Sequence, residues 1–437
     1  MKNKTQALYR KAKNLIPGGT QLLSKRPELY LPDYWPAYCS RAKGVEVWDL
    51  DDRRYIDMCY MGIGSCILGY ADPDVDAAVE AAVKAGSMST LNCPEEVELA
   101  EFLLELHPWA DMVRYARGGG EAMSMAVRIA RAGTGKDRIA FCGYHGWHDW
   151  YLAANLGEND SLDGHLIPGL EPRGVPRSLR DTAIPFRYNK IEELKAILSR
   201  YKGEIGAIAM EPVRNCEPEP GFLEEVREIA TENDTILIFD EVSSGWRLTT
   251  GGAHLYYNVS PDIAVFSKAM SNGYPMAAVI GTGAIMQAAQ SSFISSTYWT
   301  ERIGPAAALA TIKKHQRCDV AGYLNEIGRR IQATWETEAK RCGLKISISG
   351  IPPLAHFTFE YENGEAMRTL FTQEMLKKGF LATNAFYASY AHQDRHIESY
   401  SRALNEVFAL IAGLEKQKKV EKLLEGEVAQ SGFHRLT

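Results

Sequence analysis

The chain has 437 residues, of which 46% are hydrophobic and 24% are charged, so it can bury a full core and form more than one lobe. Its formal net charge is −6, and lysine and arginine cluster only in short runs such as 416–422. This excludes the basic patch of a nucleic-acid-binding or membrane-surface protein and predicts small-molecule partners, with no nucleic acid and no membrane.

The N-terminal segment 1–19 is polar and helix-like, without the apolar stretch of a secretion signal, and no later apolar run is long enough to cross a membrane. The 8 cysteines stand singly, and none shows the C-x-x-C spacing of a zinc or redox site. We therefore expect free thiols in a cytoplasmic protein.

The predicted elements begin with a β-hairpin over 44–58, with Asp51 and Asp52 at its turn. Amphipathic helices follow at 74–85 and 95–106. Short apolar runs then alternate with helical ones; these runs are MVRYA, RIAFC, IGAIAMEPV, TILIFDEV, DIAVFSK and AAVIG. This alternation is typical of βαβ units and predicts an α/β fold with a mostly parallel central sheet.

Beyond residue 305 the pattern changes to a long helix, short strands around 345–361, and helices near 365–378 and 395–415. We predict a smaller α+β domain built from both termini. The predicted division is 1–55 for the N-terminal segment of the small domain, 56–305 for the large domain and 306–437 for the rest of the small domain.

Ligands of open α/β sheets bind beyond the carboxyl ends of the strands, and four predicted strand ends carry informative residues. Gly118, Gly119 and Gly120 follow one strand and open a helix, where unpaired amides and the helix dipole attract an anion such as phosphate. The alternative is a glycine-rich turn without a ligand, since the segment matches neither common nucleotide-binding glycine motif.

A second strand end, CGYHGWHDW at 142–150, contains His145 and His148. We predict no metal here, because a third ligand at zinc-site spacing is missing. An aromatic side chain beside Gly143 and Gly146 is suited to cover a planar ring, and an aromatic turn that only packs is the alternative.

The other strand ends carry ionisable side chains. Asp240 ends ILIFD, and its buried carboxylate requires a cation, either an arginine or lysine side chain or a protonated heterocycle nitrogen. Glu211 ends a strand where structural hydrogen bonding and catalysis are both compatible with the pattern. Lys268 follows DIAVF, where desolvation would lower the pKa of its amine and favour a Schiff base; a surface lysine is the alternative.

The ordered set of glycine turn, aromatic, aspartate and lysine predicts a pocket for pyridoxal 5'-phosphate. The chain also resembles the class III aminotransferases of fold type I, and within them the glutamate-1-semialdehyde 2,1-aminomutase branch. The stretches that carry the resemblance include LIPGG (15–19), RAKGVEVWDLDDRRYIDM (41–58), GGGEAMSMAVRIARAGTGKDRI (118–139), YHGWHD (144–149), EPV (211–213), FDEVSSGWR (239–247) and PDIAVFSKAMSNGYPMAAVIG (261–281).

The resemblance implies that Lys268 forms the Schiff base with the cofactor and then acts as the base that moves a proton. It implies that Asp240 keeps the pyridine nitrogen protonated, that Tyr144 stacks on one ring face with Val242 on the other, and that Glu211 supports the site. The backbone of Gly118, Gly119 and Gly120 would hold the phosphate.

The resemblance also implies a homodimer with shared active sites. Thr300 occupies the position that reaches the phosphate of the neighbouring subunit's cofactor, and Thr297 takes that role if the register differs.

Three segments depart from the family pattern: the glycines at 118–120 replace S-G-T, residues 303–305 replace G-N-P, and TQLLSKRPE at 20–28 replaces the arginine-containing segment S-P-V-R. Lys25 or Arg26 is the remaining candidate for a substrate anion. The altered segment favours transfer between molecules: an aminotransferase moving an amino group from an amino-acid donor to an aldehyde or ketone. The alternative is the intramolecular aminomutase reaction.

Two hypotheses from other classes fit less well. A non-catalytic relative would not require Lys268 and Asp240. The sequence lacks the glycine-rich dinucleotide fingerprint that a nicotinamide-dependent oxidoreductase would need.

Overall fold

The structure, a computed structural model, describes residues 3–157, 160–165 and 167–433. It divides into two compact units. One unit is Pro73–Gly322, and the other combines the chain up to Asp72 with the chain from Tyr323 onward.

The strands of the described chain are short, as is usual for a globular fold. In chain order they are β1 Cys39–Lys43, β2 Glu46–Asp49, β3 Arg54–Asp57, β4 Met112–Ala116, β5 Arg138–Cys142, β6 Ala183–Pro185, β7 Ile205–Met210, β8 Ile236–Asp240, β9 Ile263–Phe266, β10 Ala277–Gly281, β11 Ile346–Ser349, β12 Leu354–Phe359, β13 Phe380–Leu381 and β14 Ala385–Tyr387.

The helices range from single turns to long rods. In chain order they are α1 Lys4–Leu15, α2 Pro73–Lys84, α3 Glu95–Leu106, α4 Gly119–Thr134, α5 Asp149–Leu152, α6 Ile191–Arg200, α7 Phe222–Glu232, α8 Ala253–Tyr257, α9 Gly283–Met286, α10 Ile303–Arg317, α11 Val320–Cys342, α12 Gly364–Lys377 and α13 Asp394–Lys416.

The central sheet lies in the Pro73–Gly322 unit and has 7 strands in the order β4-β10-β9-β8-β7-β5-β6. All neighbours are parallel except for β10, which runs antiparallel to both β4 and β9. The predicted mostly parallel sheet is confirmed. Because parallel strands start and end together, the carboxyl ends of β5 to β9 meet at one edge.

Both faces of this sheet are covered, which explains the continuous apolar strands. In β7, Ala207 and Ala209 pack with residues of α4, whereas Ile208 and Met210 pack with residues of α6 and α7. Strand β8 alternates in the same way between the two cores. The two-residue side-chain period of a strand therefore feeds two separate cores from one apolar run.

The other unit contains a 4-stranded sheet, β1-β2-β3-β13, and a 3-stranded sheet, β11-β12-β14. The hairpin predicted over 44–58 is present as β2 and β3, with Asp52 at φ 59° in its turn. Strand β3 pairs in parallel with β13, so the N-terminal and C-terminal segments share a sheet. This confirms a smaller α+β domain built from both termini.

The division between the units falls at 72/73 and 322/323, and not at the predicted 55/56 and 305/306. Residues 56–72 belong with the smaller unit because β3 pairs with β13 and Gly44 bridges Tyr70. Helix α10 belongs with the central sheet, where Arg317 lies 2.8 Å from the carboxylate of Asp74 at the start of α2.

Candidate active site

The carboxyl edge of the central sheet collects four of the predicted site residues. Asp240 ends β8, Glu211 directly follows β7, Tyr144 follows β5, and Lys268 lies two residues after β9. In the sheet these strands lie in the order β9, β8, β7, β5. The alternating pattern of the sequence thus delivers residues that are far apart in the chain to one place.

Lys268 sits in a strained turn. Its φ is 46°, in the left-handed region that side chains other than glycine rarely adopt, and such strain is typical of functional sites. The ammonium group donates to Ser243 Oγ at 2.8 Å. Desolvation by burial, aided by the positive charge of Arg214, lowers the pKa of Lys268 to about 8, against the opposing effect of Glu211 and Asp240. At pH 7 roughly one tenth of the amine is therefore neutral, far more than for an ordinary lysine.

Asp240 is buried and meets an imidazole. Its Oδ2 lies 2.8 Å from His145 Nδ1, and its Oδ1 accepts from the Val242 amide at 3.0 Å. The other ring nitrogen of His145 lies 3.1 Å from the carbonyl oxygen of Cys142. Both ring nitrogens of His145 therefore face oxygen atoms, one of Asp240 and one of the backbone. Within the described chain, the side-chain partner of Asp240 is this histidine, not the arginine or lysine expected from the sequence.

The neighbouring acid, Glu241, has a structural role. It accepts from the amides of Ala253 and His254 at 2.6 and 2.9 Å and from His254 Nδ1 at 2.7 Å. His254 Nε2 accepts from Trp109 Nε1 at 2.9 Å, so His254 is neutral. Burial would raise the pKa of Glu241, but these hydrogen bonds from His254 and Ala253 lower it. Of the two adjacent acids, only Asp240 reaches the site.

Glu211 fixes the loop that carries Tyr144. Its Oε2 accepts from the Tyr144 amide at 3.2 Å, and its Oε1 accepts from Arg214 Nη1 at 3.1 Å. A Cβ on Gly143 would lie 2.8 Å from Oε2, and Gly143 has φ 108°, so glycine is required there. The ring of Tyr144 rests edge-on against Tyr151, with centroids 5.9 Å apart. Glu211 acts by positioning this loop.

The glycine turn opens α4 as the sequence predicts. A Cβ on Gly119 would lie 2.8 Å from Val242 Cγ1, so Val242 packs directly on this glycine. The Glu121 carboxylate accepts from the amide of Gly118 at 3.1 Å. The amides of Gly119 and Gly120 belong to the first helical turn, which has no intrahelical acceptors. Amides at such a helix N-terminus are suited to bind an anion.

Thr297 and Thr300 share one exposed turn. The Thr300 hydroxyl donates to the Thr297 carbonyl at 2.9 Å. Arg117, directly before the glycine turn, donates to the carbonyls of Trp299 and Glu301, each at 3.0 Å. The threonine turn is thus tied to the start of the glycine turn.

Glu301 in turn caps α10 and explains one departure from the family pattern. Its carboxylate accepts from the amides of Ile303 and Gly304 at 2.6 and 2.8 Å. A Cβ on Gly304 would lie 2.9 Å from the carbonyl oxygen of Pro275. Only glycine fits at that position.

Lys25 and Arg26, the candidates for a substrate anion, belong to the other unit. Lys25 ends a short 3₁₀ turn, Leu23–Lys25. The guanidinium of Arg26 lies 5.6 Å from the ring centroid of Phe433.

Sequence reasoning missed three contributors to the site. His145 was considered only as a metal ligand or a packing residue, yet both of its ring nitrogens are engaged by Asp240 and the Cys142 carbonyl. Ser243 gave the weak signal of a serine three residues after a strand-end aspartate. Arg214 gave the same kind of signal, three residues after Glu211.

Comparison with known proteins identifies the chain's relatives. The family model described as "Aminotransferase class-III" matches residues 32–386. The chain belongs to the class III aminotransferase family. This family uses pyridoxal phosphate, so the chain is a pyridoxal-phosphate-dependent enzyme of fold type I.

Individual relatives of this aminotransferase include both reaction types. A 3-aminobutyryl-CoA aminotransferase of Cloacimonas acidaminovorans is 32% identical over 93% of this chain and 97% of its own length. A glutamate-1-semialdehyde 2,1-aminomutase of Methanothrix thermoacetophila is 35% identical over 80% of both chains. An omega-transaminase of Sphaerobacter thermophilus shares the fold, with a TM-score of 0.83, 24% identity, and coverage of 94% of this chain and 98% of its own.

The residues at the sheet edge fit the cofactor of the family. The amine of Lys268 has a pKa of about 8, the buried Asp240 carboxylate is held for a cationic nitrogen, and the glycine turn leaves no room for a Cβ beside Val242. Each feature matches one chemical group of pyridoxal phosphate: its aldehyde, its ring nitrogen and its phosphate.

Replacing His145 by Asn should strongly destabilise the aminotransferase, because Asp240 would lose its imidazole partner while remaining buried. We expect a loss of about 3 kcal/mol or more in the free energy of unfolding, measured by urea denaturation. His148→Asn is the matched control, since His148 is only half-buried and should unfold near the wild-type midpoint. A wild-type midpoint for His145→Asn would show that the pair does not hold the site.

The Lys268 amine should titrate near pH 8 in the cofactor-free protein. Labelling of Lys268 by a small neutral aldehyde, trapped with borohydride and read by mass spectrometry, should rise with pH around that midpoint because only the neutral amine reacts. Arg214→Gln should move the midpoint to higher pH, since it removes a positive charge that lowers this pKa. A wild-type midpoint near 10 would contradict this environment.

Proposed function

We propose that the protein transfers an amino group from an amino-acid donor to a separate aldehyde or ketone acceptor, with Lys268 as its central residue. The observation that carries the proposal is the environment of Lys268. Its backbone is strained, its amine donates a hydrogen bond to Ser243 at 2.8 Å, and the pKa of that amine is lowered to about 8. A surface lysine would need none of these features.

The bound cofactor would supply an electron sink that stabilises negative charge at the substrate carbon next to nitrogen. Lys268 would hold the cofactor and, once released, would take and return a proton at Nζ. Asp240, held in place by His145 and the Val242 amide, would bind the ring nitrogen. The amides of Gly119 and Gly120 would bind the phosphate.

The two faces of the ring would be covered by different elements. Val242, which packs on Gly119, lies on the same loop as Ser243, the acceptor of the Lys268 amine. Tyr144 is held on the loop after β5 by Glu211, and burial raises the pKa of its hydroxyl, which stays protonated. Tyr144 and Val242 would therefore close the ring site from opposite sides.

The aminomutase reaction is the second candidate. It is favoured by the 35% identity to the archaeal aminomutase, and opposed by the loss of the arginine-containing segment at 20–28. An aminomutase must keep its intermediate until the amine returns, whereas an aminotransferase releases one oxo product and admits another. The family's other activities are represented by the 3-aminobutyryl-CoA aminotransferase.

The proposal includes a homodimer in which Thr300, or Thr297, reaches the partner's site. Large apolar side chains flank these threonines and are strongly exposed: Phe293 at 88% and Tyr298 at 72%. Thr300 Oγ1 also lies 3.6 Å from Met88 Sδ, so the segment 87–91 extends the same surface. This segment ends in Leu91, which is 81% exposed. A second copy of the chain is the occupant that would bury this surface.

A cytoplasmic location is part of the proposal. All 8 cysteines are free in the structure, as expected in a reducing compartment. Within the described chain, no helix combines the length and apolar character needed to cross a bilayer.

The half-reaction tests the proposed function. The yellow enzyme is mixed with excess L-glutamate, L-alanine or L-glutamine. Its yellow absorbance should disappear while one equivalent of 2-oxo acid is released, and a carbonyl acceptor should restore the colour. The rate of this half-reaction should fall at least about a thousandfold in the Lys268→Ala variant, because the proton-transfer base is removed. Full turnover by this variant would contradict the central role of Lys268. Isomerisation of glutamate 1-semialdehyde without release of an oxo acid would indicate the aminomutase reaction.

Shared active sites can be tested by subunit mixing. Lys268→Ala and Thr300→Ala homodimers should both be impaired, but mixed dimers contain one site with both residues intact. An equal mixture that has exchanged subunits should therefore recover about one quarter of wild-type activity. Absence of recovery, with exchange verified by native mass spectrometry, would show that Thr300 acts within its own subunit. The paired variants Thr297→Ala and Lys268→Ala distinguish the two threonines.

A further inference from the structure

An aromatic cavity of about 220 Å³ lies within the smaller unit, against β1, β2 and β3. At about 30 Å³ for each molecule of liquid water, it has room for roughly seven non-hydrogen atoms. The cavity therefore suits a small organic molecule and excludes a nucleotide. Its lining contains six aromatic side chains: Tyr30, Trp35, Tyr38, Tyr55, Tyr60 and Tyr70.

Asp57, at the end of β3, brings a buried carboxylate to this lining. It is only 5% exposed. Its Oδ2 accepts from the Tyr70 hydroxyl at 2.6 Å, and its Oδ1 accepts from the Cys59 amide at 2.9 Å. Within the described chain, Asp57 forms no ion pair with a lysine, arginine or histidine side chain. A buried carboxylate without a counter-cation attracts a positively charged ligand.

The negative charge of Asp57 acts on the groups around the cavity. Burial raises the pKa of Tyr30, Cys59 and Tyr70 well above the ordinary value, and the charge of Asp57 adds to each increase. The other carboxylate of the lining, Asp49, is already paired with the guanidinium of the neighbouring arginine, with Nε at 2.8 Å. Asp57 is therefore the carboxylate that makes the cavity attractive to a cation.

The aromatic side chains indicate which kind of cation fits. The rings of Tyr30 and Trp35 are stacked with centroids 4.7 Å apart, and the ring of Tyr60 stands edge-on to Tyr30 at 6.0 Å. The hydroxyls of Tyr30 and Tyr70 already donate within the protein. Aromatic rings attract a cation through their π faces but do not replace the hydrogen bonds that a primary ammonium loses on leaving water. A quaternary ammonium has no N–H groups to satisfy.

Lys25 is the cationic side chain of the lining. It is exposed, so water and salt screen its charge, whereas the carboxylate of Asp57 is buried. The attraction of Asp57 for a cation therefore outweighs the repulsion by Lys25.

We propose that this cavity binds a small quaternary ammonium ion, with Asp57 as the counter-charge and the rings of Tyr30 and Trp35 as the aromatic wall. All of the lining residues belong to the smaller unit. The inference does not depend on the proposed amino-transfer reaction.

Isothermal titration calorimetry on the cofactor-loaded enzyme tests the site with choline as the probe. Choline should bind, and 3,3-dimethylbutan-1-ol, which has the same shape without the charge, should bind at least about tenfold more weakly. Ethanolamine should also bind more weakly than choline, because its primary ammonium loses hydrogen bonds to water. Equal affinity for choline and the alcohol would overturn the cation site, and tighter binding of ethanolamine would overturn the quaternary assignment.

Three positions of the lining predict different changes in choline affinity. Asp57→Asn should weaken binding by about tenfold or more, because the counter-charge is removed. Trp35→Leu should weaken binding by about threefold or more, and Trp35→Phe should restore part of the loss because it keeps an aromatic ring. Lys25→Gln should strengthen binding by up to about threefold, since it removes a like charge.

Glu46→Gln is the matched control, because Glu46 lies on β2 of the same sheet and pairs with Arg54 at 3.2 Å outside the lining. It should bind choline as the wild type does. Urea denaturation checks that each variant is folded. If Asp57→Asn does not fold, the Trp35 variants decide. Absence of choline binding by the wild type, or unchanged affinity in folded Asp57→Asn or in Trp35→Leu, would overturn the proposal.

Discussion

The buried contact between Asp240 and His145 is the constraint on which the site depends. A carboxyl group at the end of a buried strand needs a polar partner, and His145 Nδ1 lies 2.8 Å from it. The pair also costs desolvation, so it is a poor choice for stability alone. It lies beside Val242, whose amide donates to Asp240, and close enough to Lys268 for the charge of Asp240 to oppose the lowering of the pKa of that amine. The Cys142 carbonyl, 3.1 Å from the second ring nitrogen, fixes the orientation of the imidazole.

Close backbone approach is the second constraint around this pair. A Cβ on Gly146 would lie 3.1 Å from Gly120 Cα, and one on Gly119 would meet Val242. The loop after β5 and the start of α4 can therefore approach only because glycine occupies these positions. The tight contact with Val242 falls at the middle position, Gly119, which is glycine in the family's S-G-T as well, whereas a Cβ on Gly118 would make only ordinary contact, 3.8 Å from Glu121 Oε2.

The sequence was most informative where one strand is buried on both faces. The buried strands β5 and β10 match the apolar runs RIAFC and AAVIG residue for residue, and the half-buried edge strand β4 also matches its run, MVRYA. Strands β6 and β13, with three and two residues, were missed because so short a run has no periodicity of its own. Their pairing is set by distant partners.

The same limit applies to the site. Lys268, Asp240 and Glu211 stand at strand ends, so pattern alone predicts that they meet at one edge. The partner of Asp240 could not be predicted, because His145 follows β5 and lies across β7 from β8 in the sheet. The local sequence pattern does not determine the order of the strands in the sheet. The Arg117–Glu301 ion pair could not be predicted for the same reason, because its two residues lie far apart in the chain.

Charge balance at the sheet edge links these observations to substrate choice. Glu211 pairs with Arg214, Asp240 contacts His145, and the pKa of Lys268 is lowered to about 8. A substrate carboxylate that enters this edge meets two carboxyl side chains, those of Glu211 and Asp240. Each charge of the substrate must therefore find a partner of its own when it leaves water.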